Sequence, residues 1–146
     1  CSRHRRQIRR RRMNMLGLDT NVVIRLLTND DPVQRRAALR FAEGLGVAYT
    51  AYLTLVGIVE LDWALRSRLG FSKQDSTAAL GKLLDTPGLV IEHHDLVVKA
   101  MRLAISERAD FADALIAARS TDAGCTSIKT FDQKAATRVP GMELLA

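Results

Sequence analysis

Four acidic residues, Asp19, Glu60, Asp113 and Asp132, are placed where they could hold a divalent cation. Asp19 directly follows a short apolar run, Asp113 opens a helical pattern after a loop, and Asp132 follows an apolar stretch ending near Ile128 and Lys129. In a parallel sheet such positions share the edge at the carboxyl ends of the strands. Glu60 lies in a segment otherwise dominated by Leu, Val, Ile and Trp, where a carboxylate is costly to bury unless something positive satisfies it. The sequence offers these acids no histidine base and no embedded Lys-Arg cluster, so a bound divalent cation is the economical explanation. Ligation by oxygen alone suits Mg²⁺ or Mn²⁺.

Each acid also has a reading that needs no chemistry. Asp19 could cap a helix starting at Thr20, and Asp132 could cap one starting at Gln133. Asp110 and Asp113 form an Asp-x-x-Asp arrangement close to a capping box, with Asp110 as the N-cap. Glu60 could face water or pair with Arg25 or Arg66. It is the joint occurrence of the four at one expected edge that favours a site.

The elements that must position them follow from periodicity and turn chemistry. Leu16 to Leu18 reads as a strand, with a helix from Thr20 carrying Val22, Val23, Leu26 and Leu27. Asp30-Asp31-Pro32 starts a second helix that runs to Glu43, with Ala37, Ala38, Phe41 and Ala42 on one face and Gly44 and Gly46 closing it. A strand over 47–52 precedes a buried helix over 53–69, whose apolar positions are Leu55, Val56, Val59, Trp63 and Leu65. Its interior Gly57 costs about 1 kcal/mol relative to alanine and suggests a close backbone approach. Ser72 caps a helix reaching Leu84, and Pro87-Gly88 breaks the chain again. A strand over 89–91 and helices over 95–107 and 111–121 follow. A strand over 125–128, a short helix over 132–137 and a closing strand over 142–145 complete the pattern. This alternation predicts an α/β fold, an α/β/α sandwich with a mostly parallel central sheet.

The chain has 146 residues, 47% of them hydrophobic and 26% charged, the composition of one soluble globular domain. Its net charge of +6 invites a nucleic-acid reading, but the charge is unevenly spread. Seven of the 22 basic residues, Arg3, Arg5, Arg6, Arg9, Arg10, Arg11 and Arg12, precede Met13, leaving 15 against 16 acidic residues in the remainder. Residues 1–14 are therefore expected to be a disordered tail, read either as an over-extended start before Met15 or as an RNA-binding arm, and residues 15–146 the folded domain. No apolar run approaches the roughly 20 residues a membrane helix needs. Cys1 and Cys125 provide no disulfide framework, and with no secretory signal the expected compartment is a reducing cytoplasm. His93 and His94 have no zinc-ligand spacing with any cysteine and read as surface or helix-start positions.

Four segments in order carry a resemblance to a known family. Leu18-Asp19-Thr20-Asn21, then Val59-Glu60-Leu61 with Trp63, then the run from Asp110 through Asp113 to Ala118, then Thr130-Phe131-Asp132 followed by Lys134 resemble the successive motifs of the VapC toxins, ribonucleases of the PIN-domain type from toxin–antitoxin pairs. The separations of the four acids resemble the family's layout, and the match covers residues 15–146. The resemblance implies a PIN fold, Mg²⁺- or Mn²⁺-dependent endoribonuclease activity on RNA, homodimers, and inhibition by a cognate VapB-type antitoxin. It implies phosphodiester hydrolysis in which the metal polarises the scissile phosphate and activates a water. Asp19 and Asp113 are then the first metal ligands, and Asp132 and Glu60 complete the catalytic cluster directly or through water. Asn21 and Thr130 orient ligands or phosphate, or else stabilise their own turns.

Two other classes were weighed against this one. A haloacid-dehalogenase phosphatase also begins with a strand-terminal Asp but needs a second Asp two residues later, and position 21 is Asn. A non-catalytic nucleic-acid or protein-binding module of the same fold, aided by the Arg-rich tail, remains the alternative. Loss of activity on chelation of divalent metal separates it from an enzyme.

Overall fold

The computed structural model describes residues 13–145. The expectation of a disordered tail lies, for residues 1–12, outside the described residues. At its end the structure differs from expectation, because Asn14 already belongs to the first strand.

Among the described residues the order is β1 (Asn14–Gly17), α1 (Thr20–Leu27), α2 (Pro32–Glu43), β2 (Tyr49–Leu53), α3 (Leu55–Ser67), α4 (Lys73–Leu84), β3 (Leu89–Ile91), α5 (His94–Ser106), α6 (Phe111–Asp122), β4 (Ile128–Thr130), α7 (Gln133–Arg138) and β5 (Met142–Leu144). Every strand pair is parallel. A three-stranded sheet has the order β1-β2-β3 and is flanked by helices, as an α/β/α fold of PIN type requires. The closing strand β5 pairs with β4 in a two-stranded sheet, Ile128 opposite Met142 and Thr130 opposite Leu144.

The chain divides into two compact units. The first takes in the residues up to Leu61 together with Asp85–Glu92, and the second Asp62–Leu84 together with His93 onward. In the first, Ala51 and Leu53 of β2, Ile91 of β3, Val23 and Ile24 of α1 and Ile58 and Leu61 of α3 are buried. Asp31 caps α2 by accepting from the Gln34 N–H at 3.0 Å, which explains why the helix begins at Pro32. Gly88 has φ of +81°, and a Cβ there would lie 2.3 Å from the backbone nitrogen of Gly46, so only glycine fits this turn.

In the second unit Leu65, Leu80, Val97, Ala100, Ala114 and Leu115 are buried. A small cluster of Ala109, Ala117, Ala135, Val139 and Met142 lies there too, with Ile128 packed on it. Ser72 caps α4, its hydroxyl accepting the Asp75 N–H at 3.0 Å. His93 and His94 sit at the start of α5, both exposed.

Two local expectations are corrected. The strand expected over 125–128 lies at Ile128–Thr130. Gly124 turns with φ of +103°, and the Cys125 N–H still bonds back to Ser120 at 3.0 Å, so the chain is released into a strand only later. In α3 the expected apolar positions hold only in part: Leu65 is buried and Leu55 and Val59 are half-buried, but Val56 and Trp63 are 74% and 59% exposed, while Ile58, Leu61 and Asp62 are buried. A helix apolar on most sides does not reveal from its sequence which side the core will take.

Candidate active site

Asp19 sits at the N-cap position of α1, immediately beyond the β1 ladder, which the Leu18 N–H extends by bonding to Tyr52 O at 2.9 Å. Its side chain makes no cap hydrogen bond, so the capping reading of Asp19 fails and its carboxylate is free for other work. The residue is exposed and, with Asn21, lines a cleft of about 520 Å³ bounded also by Val22, Arg25, Gln34 and Phe41. Arg25 donates to Gln34 at 2.7 Å and to Asp30 at 2.9 Å. Asp30 is held below the ordinary carboxylate range, chiefly by the hydrogen bond from Thr28, with Arg25 contributing.

Thr20 is buried, and its hydroxyl donates to the carbonyl of Gly57 at 3.4 Å. A Cβ on Gly57 would come within 2.9 Å of the Leu53 side chain, so the mid-helix glycine does serve a close approach. One turn further along α3, Glu60 is exposed. The two arginines weighed as its partners are engaged with other residues, Arg25 with Asp30 and Arg66 with Asp62 and Asp110.

The second unit holds the other two candidate acids. Asp110 caps α6: its Oδ2 accepts the Asp113 N–H at 3.2 Å, the capping role expected of it. Asp113 therefore lies in the first turn of α6, half-buried. Burial raises its carboxyl above the ordinary range, the charges of Asp110 and Asp132 raise it further, and Lys73 opposes them. Asp132 caps α7 through the Ala135 N–H at 3.0 Å, while its own N–H donates to Thr130 Oγ1 at 3.0 Å. Thr130 thus stabilises the turn that carries Asp132.

Asp113 and Asp132 thus lie in one unit, where the charge of Asp132 adds to the rise of the Asp113 carboxyl, whereas Asp19 and Glu60 belong to the other. Among the described residues no three His, Cys, Asp or Glu side chains form a group that could hold a metal ion. The donor chemistry of Asp113 and Asp132, carboxylate oxygens without nitrogen or sulfur, fits a hard cation such as Mg²⁺.

Sequence reasoning missed Asp62, Ser76 and Arg66 as a group. Asp62 is 4% exposed and Ser76 is fully buried, and the Ser76 hydroxyl donates to Asp62 Oδ1 at 2.6 Å. Arg66 Nη1 donates to Asp62 Oδ2 at 3.4 Å and to Asp110 Oδ1 at 3.0 Å. The acids of this unit are therefore not without cations: Arg66 faces Asp110, and Lys73 acts on Asp113. The signal available in the sequence was the i,i+4 spacing of Asp62 and Arg66 on one helix.

Comparison with known proteins places this geometry in a class. The PIN domain model matches residues 17–141, and the chain belongs to the PIN domain family, whose members are generally nucleases. The match spans both units and all four candidate acids. Comparison with curated proteins returns no match.

Proposed function

We propose that this PIN domain is a metal-dependent endoribonuclease, the toxin of a VapC-like toxin–antitoxin pair, cleaving RNA with Mg²⁺ or Mn²⁺ as cofactor. The observation that carries the reading is the PIN domain match over residues 17–141, which takes in all four candidate acids; the charge of Asp132 also acts on Asp113 within one unit. A dication bound there would offset that like-charge effect.

In this reading Asp113 and Asp132 would hold the ion, and Asp19 and Glu60 are proposed as further catalytic carboxylates. The ion supplies neutralisation of the scissile phosphate and acidification of a water, as hard dications do in phosphodiester hydrolysis. The Asp110 cap orients the turn that carries Asp113, and Thr130 orients the turn that carries Asp132. Asn21 lines the same cleft as Asp19, which supports a role for it in hydrogen-bonding a phosphate or a ligand carboxylate. Residues 15–146 form the catalytic domain, which works as a homodimer in the cytoplasm and is restrained by a VapB-type antitoxin.

Purified protein tests this directly. It should cleave single-stranded RNA with Mg²⁺, stop on addition of EDTA, and resume on addition of excess Mg²⁺. Asp19→Asn and Asp113→Asn should each abolish cleavage while keeping a wild-type circular dichroism spectrum. Cleavage that survives chelation, or full activity in both variants, would reject the metal-nuclease reading in favour of a binding module.

A further inference from the structure

Arg66 lies outside the four acids, yet its contacts reach the turn that carries one of them. Asp62 is a buried charge and is costly unless fully paired. Its pairing consumes both oxygens: Ser76 donates to one at 2.6 Å and Arg66 to the other at 3.4 Å. The same Arg66 nitrogen makes its shorter bond, 3.0 Å, to Asp110 Oδ1. Asp110 then has its other oxygen, Oδ2, on the Asp113 N–H at 3.2 Å. A continuous chain of contacts therefore runs from α4 through α3 to the first turn of α6, ending on the backbone of Asp113.

We propose that Arg66, held by buried Asp62 and Ser76, is a positioning residue that fixes the rotamer of the Asp110 cap and thereby the orientation in which α6 presents Asp113. The proposal rests on the nuclease reading given above for its catalytic consequence, but the coupling itself is structural. A capping carboxylate with only one oxygen engaged can rotate about its Cα–Cβ and Cβ–Cγ bonds. With Arg66 on the opposite oxygen, rotation breaks a charge-assisted bond as well as the cap. The guanidinium is held protonated above its ordinary range, chiefly by the bond to Asp110, against partial burial, with Asp62 adding to it.

The test uses the full chain with Arg66→Met, Arg66→Lys and Ser76→Ala, the last removing only one hydroxyl, and the fold of each variant is checked by circular dichroism. Amide exchange at Asp113 is followed by NMR, RNA affinity is measured in EDTA, and cleavage is measured at saturating RNA with Mg²⁺. In Arg66→Met, exchange at Asp113 should accelerate about tenfold or more relative to amides in the middle of α6. Its kcat should fall by about 10- to 100-fold, the scale of a misplaced reacting group, while RNA affinity stays within about twofold. Ser76→Ala should move exchange and kcat in the same direction by less, and Arg66→Lys should recover part of both. Unchanged exchange at Asp113 in Arg66→Met and Ser76→Ala overturns the proposal, as does a kcat loss matched by an equal loss of RNA affinity. A wild-type protein that cleaves no RNA would instead defeat the nuclease reading, and the exchange measurement would still decide whether Arg66 holds the turn.

Discussion

Thr130 Oγ1 accepts the backbone N–H of Asp132 at 3.0 Å, and Asp132 Oδ1 accepts the N–H of Ala135 at the same distance. One residue thus fixes the turn, and the next acid both caps α7 and projects its charge toward Asp113. In the proposed reading one carboxylate, that of Asp132, serves both as a cap and in the chemistry.

The two roles separate by substitution. Asn is as good an N-cap as Asp, so Asp132→Asn should keep stability close to wild type while removing RNA cleavage. Asp132→Ala should lose cleavage and also about 1 kcal/mol of stability. Urea unfolding beside a cleavage assay checks both; an active Asp132→Asn would leave Asp132 as a cap alone.

Asp113 predicts a pH dependence whose sign is set by its raised carboxyl. A folded-state value above the unfolded one stabilises the fold fully only below the ordinary Asp value of about 3.9, and that stability is lost as pH rises through the folded value. Asp113→Asn cannot ionise, so without metal it should be more stable than wild type at pH 7. The gain should stay under about 1 kcal/mol because the group is only partly buried, and it should shrink toward zero at acid pH. Unfolding in EDTA at several pH values reads this directly.

Deleting residues 1–12 should leave both fold and kcat unchanged. The cut preserves Asn14, which pairs with Tyr49 in the first ladder, and removes seven arginines. RNA affinity at low salt should weaken and the salt dependence of binding become shallower, because phosphate contacts by arginine release counterions. A collapse of kcat at saturating RNA would contradict a dispensable tail.

In the toxin–antitoxin reading proposed above, an inhibiting antitoxin should work by placing a basic side chain, arginine above all, against Asp113 and Asp132. Carboxylates arranged for a dication also attract a guanidinium, which bonds them bidentately and competes for the same oxygens. Replacing that arginine by alanine should weaken inhibition more than binding. Equal inhibition by the bound variant would show that the antitoxin only covers the RNA surface.

What the sequence by itself determined is local. The starts of α2, α4 and α6 could be read from Asp31-Pro32, Ser72 and Asp110 because an N-cap acts on an N–H only three residues away. The parallel character of the strands followed from their alternation with helices, since parallel neighbours need a crossover between them. Tertiary structure decided the rest. The buried face of α3 was illegible because apolar residues surround most of that helix, so Trp63 faces solvent while Asp62 is buried. Position β4 depended on its pairing with Met142–Leu144, a contact no local pattern encodes. The bond from Arg66 to Asp110 joins residues far apart in the chain, and only packing brings a guanidinium to the cap that orients Asp113.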